Sequence, residues 1–371
     1  MTWHLETFEP LDAAGCTKVS DFLASQTRSR DAALRGAIMR WKLLDNEVRP
    51  GFVSAMVTDH DDRVVSLCTV TPKRLWCDGA VQPWAEIGDT FTDDAFQRKG
   101  MFSALVNASR SRAQDAGFGI VYGEPNTQSA PGYLNKLAFA IKDNAGLLNC
   151  SLPLSARSIV PRLGARLPAA VAARLLSAPA VALSRIASRA LTWRPRRREV
   201  EVEPLVGGPG AISAEFDRLW ERVRAALPIA QVRDARYLAW RYRQHPLPFR
   251  IYTAREGGAL RGWLVTMLAT DPPPLSEHRL SIVDWLFAPD DAAGIGTALL
   301  DVAVREGVDG QADVVGAQTA IATPLPLPWR RYGFVRRPLP KPVIVHTSDA
   351  GRRFLERSEA WHYTLGDTDA F

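Results

Sequence analysis

The chain has 371 residues, 46% of them hydrophobic and 23% charged, and its formal net charge is +6. This length exceeds that of an ordinary single domain, and the composition excludes a disordered or fibrous chain. The N-terminus lacks a signal-peptide pattern, and no run of about 20 uncharged apolar residues occurs, so we expect a cytoplasmic protein without a spanning helix. The cysteines have no metal-ligand spacing, so we expect free thiols and no metal at Cys16, Cys68, Cys77 and Cys150.

An aromatic and basic segment, Arg40-Trp41-Lys42, precedes two predicted strands at residues 52–58 and 64–70. A further strand at 85–92 is followed by the turn Gln97-Arg98-Lys99-Gly100 and by an apolar helix pattern from Met101. The first N–H groups of a helix have no intrahelical partners, and a glycine lets the backbone approach a ligand closely. With two basic side chains beside it, this turn predicts a pyrophosphate site.

The next elements are a strand at 118–123, a loop containing Asn126, and a short helix that ends in Leu137-Ala138-Phe139. From Asn144 to Arg198 the chain contains no Asp or Glu but ten arginines, and prolines divide it into short helical pieces. We interpret this segment as a solvated helical connector or as a surface that attracts acidic lipids or a nucleotide-linked substrate. A nucleic-acid partner is not expected, because aromatic side chains are not interleaved with the arginines.

The second half of the chain repeats the first. Trp240-Arg241-Tyr242 corresponds to the earlier aromatic and basic segment, and strands follow at 250–254 and 262–267. A second strand, turn and helix are predicted at 282–300, with Gly294-Ile295-Gly296 as the turn that opens the helix. The final pattern, Tyr332-Gly333-Phe334, corresponds to Ala138-Phe139. Such internal repetition indicates two units of the same architecture.

The turn at 97–100 and the Asn loop, helix and aromatic ending after it resemble the GNAT acyltransferase superfamily, and the repeat extends the resemblance almost end to end. The resemblance implies an α/β fold with mixed sheets and two tandem units. The predicted units are residues 1–150 with the acyl-CoA site, a connector at 151–200, and a degenerate unit at 201–371. Two positions depart from the family pattern: Phe102 stands where a small residue is usual, and Ala138 replaces a glycine.

The resemblance implies that acyl-CoA is the co-substrate. Backbone groups near Phe91 and Thr92 would run beside its pantetheine arm, and Asn126 would bond the same arm. The pyrophosphate would lie on the turn and the helix start, which comprise Gln97, Arg98, Lys99, Gly100, Met101, Phe102 and Ser103. The second unit has Asp290 and Asp291 before its glycine, and two carboxylates would repel a pyrophosphate. We therefore expect acyl-CoA to bind the first unit only.

Acyl transfer to an amine needs a group that takes the amine's proton. Glu86, slightly favoured, and Asp89 are the candidates; they are three apart on one strand, so only one can face the cleft unless a bulge intervenes. In many relatives a tyrosine four residues before the terminal glycine protonates the thiolate. Here that position holds Leu134, and Tyr133 beside it can reach the sulfur or simply pack.

The tandem pattern resembles bacterial enzymes that acylate nucleotide-linked amino sugars for surface polysaccharides. This implies an N-acyltransferase with such an acceptor. The basic connector separately suggests contact with the surface of the inner membrane. Other acceptor amines, such as a polyamine, an aminoglycoside or a peptide, remain alternatives, as does a non-catalytic acyl-CoA-binding protein. For Trp41 and Trp240, core packing is favoured over stacking on a sugar.

Overall fold

A computed structural model describes residues 2–9, 11–27, 32–163, 168–193, 200–269 and 277–368. The strands are β1 Trp3–Phe8, β2 Phe52–Thr58, β3 Val64–Cys77, β4 Ala80–Thr92, β5 Ile120–Gly123, β6 Phe139–Ile141, β7 Leu147–Pro153, β8 Glu201–Pro204, β9 Ile229–Gln231, β10 Arg250–Glu256, β11 Ala259–Leu268, β12 Arg279–Phe287, β13 Val314–Ala320, β14 Val335–Pro338, β15 Ile344–His346 and β16 Trp361–His362. The helices are α1 Ala13–Thr27, α2 Ala32–Met39, α3 Met101–Asp115, α4 Ala130–Lys136, α5 Ala156–Leu163, α6 Ala169–Leu175, α7 Ala178–Ser188, α8 Ala214–Arg224, α9 Ala235–Leu238, α10 Ala292–Asp309 and α11 Asp349–Leu355.

Two mixed sheets organise these elements. The first has the order β1-β2-β3-β4-β5-β15-β6, with β9 and β16 attached through β3. The second has the order β14-β7-β13-β12-β11-β10-β8. In each sheet four consecutive antiparallel strands lead to a parallel neighbour, β4 beside β5 and β12 beside β13. The predicted α/β class with two tandem units is therefore confirmed.

The two sheets exchange a strand. β7 follows the first unit's strands but pairs with β13 and β14 in the second sheet. β15 follows the second unit's strands but pairs with β5 and β6 in the first sheet. The predicted boundary at residue 150 consequently falls inside β7. Each sheet needs one strand from the other half of the chain to be continuous, so the hydrogen bonds of neither sheet are complete within one unit.

The repeated tryptophans meet where the two units join. Trp41 and Trp240 lie on two short π-helices, Arg40–Leu44 and Ala239–Arg243, and their rings stack with centroids 4.5 Å apart. Each indole N–H donates to the other residue's carbonyl oxygen, at 2.8 and 3.3 Å. Both side chains are buried, so their role is core packing between the units and neither is available to stack on a sugar.

The connector contains the short helices α5, α6 and α7, and seven large apolar side chains along it are exposed: Ile159, Leu163, Val171, Leu175, Leu176, Leu183 and Ile186. Arg185 of α7 bonds Asp313 at 2.8 Å, whereas Arg157, Arg174 and Arg189 are exposed. Arg166, Arg194, Arg196, Arg197 and Arg198 lie outside the described residues. Within the described ranges, no helix is long and apolar enough to cross a bilayer, and no cluster of His, Cys, Asp and Glu could hold a metal ion.

Candidate active site

A cleft of about 720 Å³ lies in the first unit between the end of β4, the start of α3 and the start of α4. Nine residues predicted from the sequence to contact acyl-CoA line it: Phe91, Thr92, Gln97, Arg98, Gly100, Met101, Phe102, Ser103 and Asn126. Thr90, Gln128, Ser129, Gly132 and Lys136 also contribute. The cleft therefore combines unpaired helix N–H groups, a basic side chain and an apolar wall, which suits an anion attached to an apolar arm.

The turn before α3 has the backbone geometry of an anion site. Arg98 has φ 62° and Gly100 has φ 82°, so left-handed residues alternate along the turn. Successive N–H groups in such turns form a concave donor site. A Cβ built on Gly100 would meet nothing within 4 Å, so open space lies directly beside this glycine. Lys99 is not among the lining residues: its ammonium lies over the rings of Trp3 and Phe96, of which Phe96 lines the cleft.

A bulge in β4 places the two predicted carboxylates. Leu67 pairs with Phe91 and Thr69 pairs with Gly88, so β4 has one more residue than β3 between these pairs. Asp89, at φ 42°, accepts bonds from Lys42 at 2.7 Å and Thr69 at 3.1 Å. Glu86 lies 3.1 Å from the buried ammonium of Lys73. Each carboxylate is thus held by a buried lysine, and neither lines the cleft.

Packing explains the unusual Phe102. Its ring lies against Gly132, where an added Cβ would come within 2.6 Å of it, and it meets the Tyr133 ring edge-on at 5.1 Å. Because Gly132 on α4 has no side chain, there is space for the large Phe102 ring on α3. Tyr133 is buried, which raises the pKa of its phenol, and its hydroxyl lies 3.0 Å from that of Thr90 at the cleft. Its ring packs in the core while its hydroxyl reaches the cleft wall.

Sequence reasoning missed Glu124, which follows β5 directly. Its carboxylate accepts bonds from Gln318 at 3.0 and 3.1 Å and from Tyr363 at 3.1 Å, and Lys341 lies 3.6 Å away. All three partners come from the C-terminal half of the chain. Burial raises the pKa of Glu124, and the lysine and the two hydrogen-bond donors oppose this rise. An acidic residue at the end of a predicted strand was the available signal, but its partners are about 200 residues away in sequence.

The corresponding part of the second unit is built differently. α10 begins at Ala292, so Gly294 and Gly296 lie inside the helix, and the prediction that they form the opening turn was wrong. Asp290 bonds Arg261 at 2.6 Å, and the side chain of Asp291 lies outside the described residues. A helix that starts before its glycines does not form the left-handed turn found at Gly100.

The gap between β12 and β13 is occupied by the chain itself. Thr364 bridges Thr319 of β13, and His362 lies 2.9 Å from the carbonyl oxygen of Trp285 in β12. The segment is fixed by a buried network in which Arg233 bonds Asp284 at 3.0 Å and Asp367 at 2.6 Å. The same gap in the first unit, between β4 and β5, opens towards the cleft.

No family model matches the sequence, and no curated protein matches it as a relative. Among solved structures, yeast (Saccharomyces cerevisiae) N-myristoyltransferase with bound myristoyl-CoA is similar at TM-score 0.60 and 12% identity, over 93% of this chain and 79% of that one. A GCN5-related N-acetyltransferase from Anabaena variabilis is similar at TM-score 0.59 and 12% identity, over 92% and 72%. One from Kribbella flavida gives TM-score 0.53 and 16% identity, over 93% and 71%. The chain therefore has the GNAT fold, in a tandem arrangement shared with N-myristoyltransferase.

Proposed function

We propose that this protein is an acyl-CoA-dependent N-acyltransferase that acylates a primary amine. The observation that carries the proposal is the cleft of the first unit, where Gly100, Arg98 and the start of α3 offer donors to a pyrophosphate beside the open end of β4. The tandem fold is shared with an enzyme whose structure holds myristoyl-CoA, which supports the same class of co-substrate. No step of this chemistry requires a metal.

The second unit supports the proposal by contrast. Its equivalent gap is filled by residues 361–364, and its turn carries an ion-paired aspartate instead of a free basic side chain. Acyl-CoA therefore has one site per chain in this proposal, and the second unit supplies groups to the acceptor side.

Thiol release tests the activity directly. Purified protein with acetyl-CoA and a panel of amines should release coenzyme A thiol only when an acceptor amine is present. Mass spectrometry of the acceptor should show the added acyl group. Tight acyl-CoA binding without thiol release for any amine would favour the non-catalytic binding protein instead.

For the acceptor, we propose a nucleotide-linked amino sugar, whose diphosphate needs positive charge near the amine site. Arg337 on β14 pairs with Asn149, and Asn149 pairs with Gln318, the residue that bonds Glu124. Directly paired residues share a face of the sheet, so Arg337 and Gln318 lie on the same face. Two strand spacings separate their strands, which places the two residues about 10 Å apart. Together with Lys341, this arginine gives the face a positive charge.

The neighbouring arginine provides a matched control, because successive residues of a strand point to opposite faces. Arg337→Glu should raise the KM for a UDP- or dTDP-amino sugar and leave the KM for acyl-CoA unchanged, while Arg336→Glu should change neither. A lowered KM for a polyamine in Arg337→Glu, with no effect on sugar nucleotides, would favour a cationic acceptor.

We also propose that the connector binds the surface of acidic membranes. Its exposed Leu183 and Ile186 are 67% and 61% accessible, and its exposed arginines have no acidic residue between 144 and 198 to neutralise them locally. Apolar side chains beside arginines suit the interface of an anionic bilayer.

Vesicles of phosphatidylcholine with and without about one third phosphatidylglycerol test this contact. The double variant Leu183→Glu/Ile186→Glu should lose binding to the acidic vesicles, and added salt should weaken wild-type binding because it screens exposed charges. Val206, which is 82% exposed outside the connector, provides the control variant Val206→Glu. Equal binding of all three proteins would contradict the proposal and leave a solvated connector.

A further inference from the structure

Glu124 stands where the two central strands of the first unit separate. The last pair between β4 and β5 joins Glu86 to Tyr122. At the next position the strands still touch, since a Cβ on Gly123 would lie 2.9 Å from the carbonyl oxygen of Ile87. Beyond that point β4 continues to Thr90, and the chain after β5 continues to Asn126, and both line the cleft. The backbone of Glu124 therefore lies between the apex of the gap and the cleft wall, and its side chain, like those of Glu86 and Asp89, is not among those that line the cleft.

The carboxylate is enclosed by groups of the other unit and has one replaceable partner. Its side chain is 3% exposed, whereas the side chain of Lys341 is 40% exposed. Gln318 and Tyr363 are anchored in the buried strand β13 and in the fixed segment after β16. Lys341 can swing into solvent, and its ammonium then leaves a place for another cation beside Glu124.

We propose that Glu124 binds the acceptor as an ammonium ion and takes its proton, so that the acceptor site lies between the two units. This inference rests on the proposed N-acyltransferase function. The proton moves from the ammonium nitrogen to a carboxylate oxygen of Glu124, and the freed lone pair attacks the thioester carbonyl carbon. The C–N bond forms and the nitrogen, which is positively charged after the attack, loses a second proton to water. The C–S bond then breaks, and the thiolate takes the proton held by Glu124 or one from water.

Glu124 suits this role better than the two carboxylates of β4. Glu86 is tied to Lys73, which is 1% exposed, and Asp89 to Lys42, which is 3% exposed. Both lysines are buried, so neither can move into solvent as the exposed Lys341 can. Burial also raises the pKa of Glu124, which makes it a stronger base than a solvated carboxylate.

The pH dependence of kcat/KM for the best amine tests the inference. The groups that face Glu124 are Lys341, Gln318 and Tyr363, with Glu86 near the same tyrosine. Activity should fall as pH falls through the raised pKa of Glu124. Glu124→Gln should lower turnover by about 10²–10⁴-fold and keep acyl-CoA affinity. Lys341→Met removes the cation that lowers this pKa, so the fall of kcat/KM on the acidic side of the profile should move to higher pH.

Glu47 provides the matched control, because its side chain is also 3% exposed and ion-paired, here with Arg74 at 2.9 Å. Glu47→Gln should leave the pH profile in place, whatever it does to the melting temperature. Three results would overturn the inference while the enzyme remains active. The first is a wild-type pH profile in Glu124→Gln, and the second is an acidic fall in activity that stays at the same pH in Lys341→Met. The third is loss of that acidic fall in Glu86→Gln or Asp89→Asn. A wild type that acylates no amine would defeat the proposed function, and the inference with it.

Discussion

The two units share a topology but use the gap at its centre in opposite ways. In the first unit, β4 and β5 separate beside a left-handed glycine turn, and the gap opens into a cleft. In the second, residues 361–364 enter the corresponding gap between β12 and β13. The same segment then presents Tyr363 to Glu124 of the first unit. The same topology can therefore leave its central gap open in one unit and fill it with a segment of the chain in the other, and that segment also contacts the first unit.

The largest expected effect comes from separating the two halves of the chain, because β7 and β15 each pair with strands of the other half. Residues 1–163 and 168–371 expressed separately should each be unfolded or aggregated, since each sheet then lacks an internal strand, the second from its edge. Co-expressed, the two fragments should associate and give the circular-dichroism spectrum of the whole protein. A cooperatively folded monomer from either fragment alone would show that the units are independent.

Two equivalent aspartates should differ in what they stabilise. Both follow an isoleucine by two residues at the bulged part of their strands, Asp89 after Ile87 and Asp284 after Ile282. Asp284 is fully buried and paired with Arg233, so Asp284→Ala should cost about 3–5 kcal/mol of unfolding free energy. The side chain of Asp89 is 24% exposed, so Asp89→Ala should cost clearly less. Urea denaturation measures both, and equal losses would contradict the asymmetry.

A substitution at Gly100 should abolish the acyl-CoA site proposed for the first unit. Gly100→Val should weaken acyl-CoA binding at least about 100-fold, equivalent to ~2.7 kcal/mol, because a side chain would enter the space beside the helix start. Gly79 has φ 74° and the same open surroundings, but it lies in the hairpin between β3 and β4. Gly79→Val therefore carries a similar backbone strain and should bind acyl-CoA normally in calorimetry. Equal losses in both variants would mean that strain alone accounts for the effect.

The sequence predicted local features well where one segment determines them. Periodicity located β2, the strand ending at Thr92 and the start of α3 at Met101, and the repeat predicted two units. The strand exchange was not predictable, because apolar β7 and β15 satisfy the same pattern in either sheet. The start of α10 was misplaced because glycine favours a turn only where the backbone needs a positive φ, and Gly294 and Gly296 are helical here.

Much of the lining of the candidate cleft could be predicted for the same reason. The residues that line the cleft are close together in sequence, around one turn and one loop. Lys99 was expected beside the pyrophosphate, but Trp3 and Phe96 attract its ammonium by cation–π contact. Glu124 acquires its character from Gln318, Lys341 and Tyr363, and no local pattern could reveal partners so distant in the chain.

The smallest predicted effect compares the aromatic endings of the two units. Ala138 has φ 53°, whereas Gly333 at the corresponding place has φ 75°. The left-handed conformation costs an alanine roughly 1–2 kcal/mol, part of which a glycine gives back through its greater freedom in the unfolded chain. Ala138→Gly should therefore raise the unfolding free energy by up to ~1 kcal/mol, and Gly333→Ala should lower it by a similar amount. Thermal unfolding of both variants measures this, and a destabilised Ala138→Gly would mean that the alanine methyl contributes packing that outweighs the backbone strain.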